Sequence, residues 1–163
     1  MKALITGASS GIGRDMARVL SDMGYDLILV ARRKDKLEKL KKQLKTDVKI
    51  ICLDVSSTYN CTKLYNKVKD EDIDILINNA GFGKFGELDD ELDMIDVNIK
   101  AVHILTKLFL NDFVARNKGY ILNVASSAAF QPGPLMATYY STKAYVLHLT
   151  EAIYEELRKN NSN

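Results

Sequence analysis

Short, unbroken apolar runs constrain this chain most. "DLILV" (Asp26–Val30) and "DILI" (Asp74–Ile77) carry no polar residue on alternate positions. A strand with one face in water would alternate, so runs like these suit parallel strands covered on both faces. Five such segments occur, at Lys2–Thr6, Asp26–Ala31, Val48–Leu53, Ile73–Asn78 and Tyr120–Val124. Between them lie helix-period stretches near 12–23, 34–45, 58–70, 88–117 and 139–159. Strand and helix in strict alternation predict right-handed crossovers and an α/β, doubly wound parallel sheet of Rossmann type. The 163 residues suit one domain over 1–163, and no linker or internal repeat divides them.

A net charge of +2 is too small to argue for nucleic acid or an anionic membrane as the main partner, and neither is expected. No apolar run is long enough to span a bilayer, and Met1-Lys2 leads straight into a strand, so a cytoplasmic chain is expected. Two cysteines, Cys52 and Cys61, make no disulfide framework. No H-x-x-H or C-x-x-C spacing occurs, and no metal site is expected. Leu37, Leu40 and Leu44 fall at helix spacing inside the lysine-rich segment 32–45, which reads as a solvated amphipathic helix.

The first strand runs into "TGASSGIG", Thr6–Gly13, and a helix follows at once. Glycine lets the backbone approach a pyrophosphate with no Cβ in the way, and the helix start offers free N–H groups and a positive dipole end. Thr6, Gly7, Ser9, Ser10, Gly11, Ile12 and Gly13 are therefore candidate phosphate contacts. Gly13 is followed by Arg14-Asp15, so this is no ATP-type loop, which would close on Gly-Lys-Ser/Thr. The second strand ends at Ala31, where NAD-binding chains place a carboxylate, and Arg32 and Arg33 follow. A guanidinium can pair with a 2′-phosphate and a carboxylate would repel it, so NADP(H) is expected over NAD(H). Asp54, with Val55 beside it, ends the third strand and is expected at the adenine edge or as a cap for the next helix.

Tyr139 and Lys143 stand four apart, on one face of a helix. A phenol beside an ammonium can exchange protons near neutral pH. Tyr140 and Lys143 make a competing pair.

Thr6-Gly7 to Gly13, Asn78-Asn79-Ala80-Gly81, Asn98, Ser126, Tyr139 and Lys143 together resemble the short-chain dehydrogenase/reductase family in order and spacing. Within it, "GASSGIG", "LVARR" and "NNAGFG" look like the broad-specificity, NADP-preferring bacterial oxidoreductases. The resemblance implies hydride transfer between NADP(H) and a small carbonyl/alcohol substrate. It implies Tyr139 as general acid/base and Lys143 as its tuner and a contact for the nicotinamide ribose. Ser126 would polarise the carbonyl, with Ser127 as its rival. Asn98 would kink its helix and hold a relay water, and Asn79, Ala80 and Gly81 would close against the cofactor. It further implies a homodimer or homotetramer through the helices near 98–117 and 139–159, which carry Val102, Leu105, Phe109, Phe113, Leu147 and Ile153.

The family pattern extends beyond Asn163, so the chain resembles the first two-thirds of a member. A sixth strand is lacking, and strand five is expected to be an unpaired edge. Three readings stand open: part of a longer enzyme, a naturally short chain that binds nucleotide without turnover, or a chain whose missing edge a partner supplies.

Overall fold

A computed structural model describes residues 1–88 and 91–159. The elements are β1 (Lys2–Thr6), α1 (Gly11–Asp22), β2 (Asp26–Ala31), α2 (Lys34–Lys41), β3 (Val48–Cys52), α3 (Thr58–Val68), β4 (Ile75–Asn78), α4 (Leu92–Ile95), α5 (Val102–Ala115), β5 (Tyr120–Asn123) and α6 (Ala137–Lys159). A π-helical turn, Asp96–Ala101, joins α4 to α5, and a 3-10 turn, Ser127–Phe130, follows β5.

The five strands form one parallel sheet in the order β3-β2-β1-β4-β5. Ile5 pairs in register with Leu29 on one side and with Ile77 on the other. Alternate strand residues face opposite layers. Leu4, Ile28, Val30 and Leu76 pack against Leu64 and Val68 of α3 and Leu105, Phe109 and Phe113 of α5. Ala3, Ile5, Leu27 and Leu29 pack against Ala17 of α1 and Leu37 and Leu40 of α2. Both faces are dry, which is why the strands read as continuous apolar runs. The chain winds outward from β1 to β3, then returns to β4 on β1's other side. The strand ends beside β1 and β4 therefore open a crevice at the switch point, where doubly wound folds hold ligands.

Several elements differ from the sequence reading, α2 among them, which ends at Lys41. The predicted helix over 88–117 is divided: α4, the π turn and α5 replace one continuous helix, and Asp89 and Asp90 lie outside the described residues. Asn98 sits in the π turn, where its side chain bonds to the Phe82 backbone and to Thr142, pulling the turn out of α-helical register. β4 begins at Ile75, because the Asp74 carboxylate accepts the Lys2 N–H at 2.9 Å and pairs with Lys118 at 2.7 Å. On the helix expected to take part in pairing between copies, Leu105, Phe109 and Phe113 join the chain's own core and Val102 is buried, so this stripe faces inward. Leu147 and Ile153 of α6 are half-buried.

β5 lies at the sheet edge and pairs with β4, leaving Tyr120 and Leu122 exposed. Cys52 and Cys61 are free thiols; burial, with the Asp54 charge adding to it, pushes Cys61 up to about 11. No helix among the described residues is long and apolar enough to cross a membrane.

Candidate active site

The glycine turn is built on a polar plug supplied by the residues after β4. The Thr6 hydroxyl oxygen accepts the backbone N–H groups of Asn79 at 3.1 Å and Ala80 at 3.0 Å, and donates to the Ile77 carbonyl at 3.4 Å. The Asn79 amide donates back to the carbonyls of Thr6 at 3.0 Å and Gly7 at 3.3 Å. This mutual lock presses the two loops together. Gly7 adopts φ +67°, and a Cβ there would stand 2.8 Å from the Ala80 Cα. A Cβ on Gly13 would come within 2.3 Å of the Asn79 amide nitrogen. Both glycines are required by that approach. Thr6 and Gly13 thus turn inward and shape the turn, while Gly7, Ser9, Ser10, Gly11 and Ile12 face the cleft.

α1 begins at Gly11 without a side-chain cap. The Ser10 hydroxyl, which would otherwise serve, accepts Arg33 Nη2 at 2.7 Å, and the Ser9 hydroxyl accepts the same nitrogen at 2.9 Å. The first N–H groups of α1 are left without a capping oxygen, and with the dipole they form a site for an anion. Arg33 spans this turn, and Arg32 reaches Asp54 at 3.7 Å from the opposite rim. Arg14 pairs instead with Asp15 at 2.9 Å on the exposed helix surface. The Asp54 carboxylate accepts the Ser56 N–H at 3.0 Å, and α3 is capped by Ser57, not by Asp54.

A cleft of about 650 Å³ runs from Arg32, Arg33, Asp54 and Val55 past the glycine turn, Asn79, Ala80 and Gly81 to Tyr139 and Lys143. The anion site and the tyrosine thus open into one space. Lys143 is buried; its ammonium donates to the Val124 carbonyl at 2.8 Å and lies 5.8 Å from the centre of the Tyr139 ring. Burial pushes the Lys143 pKa below the ordinary lysine value. Tyr139 lines the cleft, whereas Tyr140 turns away to pack its ring on Gly133.

Asn98 and Ser126 are not among the residues that line this cleft. Asn98 Oδ1 accepts the Phe82 N–H at 3.1 Å, and its amide donates to the Phe82 carbonyl at 2.8 Å and Thr142 Oγ1 at 3.1 Å. Its side chain therefore clamps the loop after Gly81 to α6. Ser126 caps the 3-10 turn: its oxygen accepts the Ala128 N–H at 3.2 Å, which leaves the hydroxyl proton available. Ser127 is exposed. Asn78 points into the sheet's interior, donating to Asn123 Oδ1 at 2.8 Å and Thr106 Oγ1 at 3.1 Å. The sequence reading missed the apolar lining from Phe82, Gly83, Val97 and Val124. Only the position of Phe82 and Gly83 directly after Gly81 signalled it.

The family model for short chain dehydrogenases matches residues 1–161. The chain belongs to the short chain dehydrogenase family. It is 32% identical to human very-long-chain 3-oxoacyl-CoA reductase over 96% of this chain and 54% of that protein. It thus spans about half the length of such curated relatives; for a zebrafish (Danio rerio) reductase the share is 50%. A short-chain dehydrogenase from Sphingobium yanoikuyae, solved in complex with NADPH, is 32% identical, with a TM-score of 0.90 over 98% of this chain and 67% of that one. A metagenomic short-chain oxidoreductase in complex with NADP is 30% identical, with a TM-score of 0.91 over 98% of this chain and 77% of that one.

Proposed function

We propose that this chain carries the cofactor site and proton-transfer residues of an NADP(H)-dependent oxidoreductase acting on a carbonyl/alcohol pair. The observation that carries the reading is the single cleft that joins an uncapped helix start, two guanidinium groups and the Tyr139–Lys143 pair. Solved relatives that hold NADPH and NADP support the cofactor.

The residues present fit such a group. Gly7 and Gly11, which line the cleft, and the first N–H groups of α1, which have no side-chain cap, would receive the pyrophosphate. Arg32 would meet the 2′-phosphate, with Arg33 holding the serines of the turn beside it. Asp54 and Val55 would border the adenine. When bound, the nicotinamide supplies or accepts the hydride.

The chain's own part is to hold and move a proton. In reduction, the Tyr139 hydroxyl gives its proton to the carbonyl oxygen as the alcohol forms, and takes it back in oxidation. Lys143 places a positive charge beside the phenol, which stabilises the phenolate left behind. Ser126 turns its free hydroxyl proton toward the carbonyl oxygen and polarises it. Asn98 acts through Phe82 and Thr142, holding the loop and α6 at a fixed separation.

The test is NADPH consumption, followed at 340 nm, over a panel of aldehydes, ketones and quinones. Turnover of at least one class is expected. Tight NADPH binding with no turnover of any would replace this reading with a nucleotide-binding module.

A further inference from the structure

We infer that Gly83 is a positioning residue that seats the Tyr139 ring and fixes where its hydroxyl meets a substrate. The inference rests on the reading of Tyr139 as the proton donor.

Gly83 follows the Asn79–Gly81 loop and runs beneath the start of α6. A Cβ at this position would stand 3.0 Å from Cδ2 and 3.2 Å from Cγ of Tyr139, and 3.2 Å from Cε of Met136. These separations are below the 3.5–4.0 Å optimum for carbon atoms, so the bare backbone lies directly against the ring. Conformation does not require the glycine, because Gly83 is absent from the positive-φ residues. Alanine fits its backbone, and only the space is contested.

Neither side can simply retreat. The loop is held on one side of Gly83 by Asn98, which both accepts from and donates to the Phe82 backbone. On the other side the Gly86 N–H donates to the Leu135 carbonyl at 2.8 Å. The Tyr139 ring meets the Tyr140 ring edge-on at 6.2 Å and has the Lys143 ammonium 5.8 Å from its centre. A methyl at 83 therefore displaces the ring by a few tenths of an ångström, together with the flexible end of Met136. Misplacements of about 1 Å cost on the order of a hundredfold in rate, so a shift of this size costs about tenfold.

The experiment is Gly83→Ala in the whole chain, with and without Met136→Ala, and with 3-fluorotyrosine placed at position 139 for 19F NMR. Expected are a kcat lowered about tenfold, NADPH affinity within about twofold of the parent, and a displaced 19F resonance. Met136→Ala removes only the thioether contact, so it does not restore kcat. An unchanged kcat with an unchanged resonance overturns the inference. So does restoration by Met136→Ala, which would make Gly83 a provider of room for Met136. So does an equal loss of NADPH binding, which would make it part of the cofactor cradle. If the parent chain turns over no carbonyl, the resonance decides alone. A displaced signal upholds the seating of Tyr139 while the reaction reading fails, and an unmoved one ends both.

Discussion

Thr6→Val probes the lock beneath the glycine turn. Valine matches threonine in shape but has no hydroxyl. The Thr6 oxygen receives the N–H groups of Asn79 and Ala80 at 3.1 and 3.0 Å, and Thr6 is only 2% exposed. Valine leaves both donors without this partner. An unsatisfied buried donor costs about 1–3 kcal/mol. The extra buried methyl recovers about 0.8 kcal/mol. With two donors affected, the net expectation is a loss of about 1–5 kcal/mol, centred near 3, a large share of the ~5–15 kcal/mol that holds a domain together. Thr6→Ser keeps the oxygen and drops the methyl, and should cost only about 1 kcal/mol. Urea unfolding followed by far-UV circular dichroism measures both. NADPH titration should show Thr6→Val weakened, because Asn79 and Ala80 are released from the cleft wall, and Thr6→Ser close to the parent. Equal stability losses in the two variants would refute the reasoning, since the hydroxyl would then be doing nothing that the methyl does not.

Arg32→Ala should weaken NADPH binding about tenfold, near 1.4 kcal/mol, because the guanidinium is exposed and its bond to phosphate is partly screened. NADH binding should change little; equal losses measured by fluorescence titration would reject the assignment of Arg32 to the 2′-phosphate. A second variant, Glu71→Gln, tests an acid-labile contact at the opposite end of the sheet. Hydrogen bonds from Lys49, then from Lys2 at 2.9 Å, hold the Glu71 carboxyl below its ordinary pKa. A lowered folded pKa contributes stability above the unfolded value of about 4.3, and that stability is lost as pH falls through the folded value. Glu71→Gln should cost about 1 kcal/mol at pH 7 and nothing once the carboxyl is protonated. A difference in urea midpoint that persists unchanged into acid would contradict it.

The strands were legible because each is buried on both faces, which leaves an apolar run in the sequence. The glycine turn and the arginines after β2 were legible because phosphate chemistry demands those residue types near a helix start. Residue types alone left Tyr139 and Tyr140 both within one helical turn of Lys143; the family resemblance pointed to Tyr139, and in the fold Tyr139 lines the cleft while Tyr140 packs on Gly133. The break at Asn98 was legible only through the family resemblance, which implied a kink there, because a π turn hardly alters the apolar pattern around it. Its cause is a set of side-chain bonds to Phe82 and Thr142, residues 16 and 44 positions away. The inward role of Thr6 was hidden for the same reason: its partners lie 71 to 74 positions along the chain. Val102, Leu105, Phe109 and Phe113 form an apolar helix face, and sequence cannot say whether such a face meets its own sheet or another molecule; here Leu105, Phe109 and Phe113 meet the chain's own sheet and Val102 is buried.

The central claim is that cofactor and proton donor share one cleft, and Tyr139→Phe tests it most directly. The variant should bind NADPH as the parent does, because Lys143 keeps its bond to Val124 and the glycine turn is untouched. It should consume no NADPH with any carbonyl the parent reduces, a loss of at least about a hundredfold. Turnover within a few-fold of the parent, at equal NADPH affinity, would contradict the account.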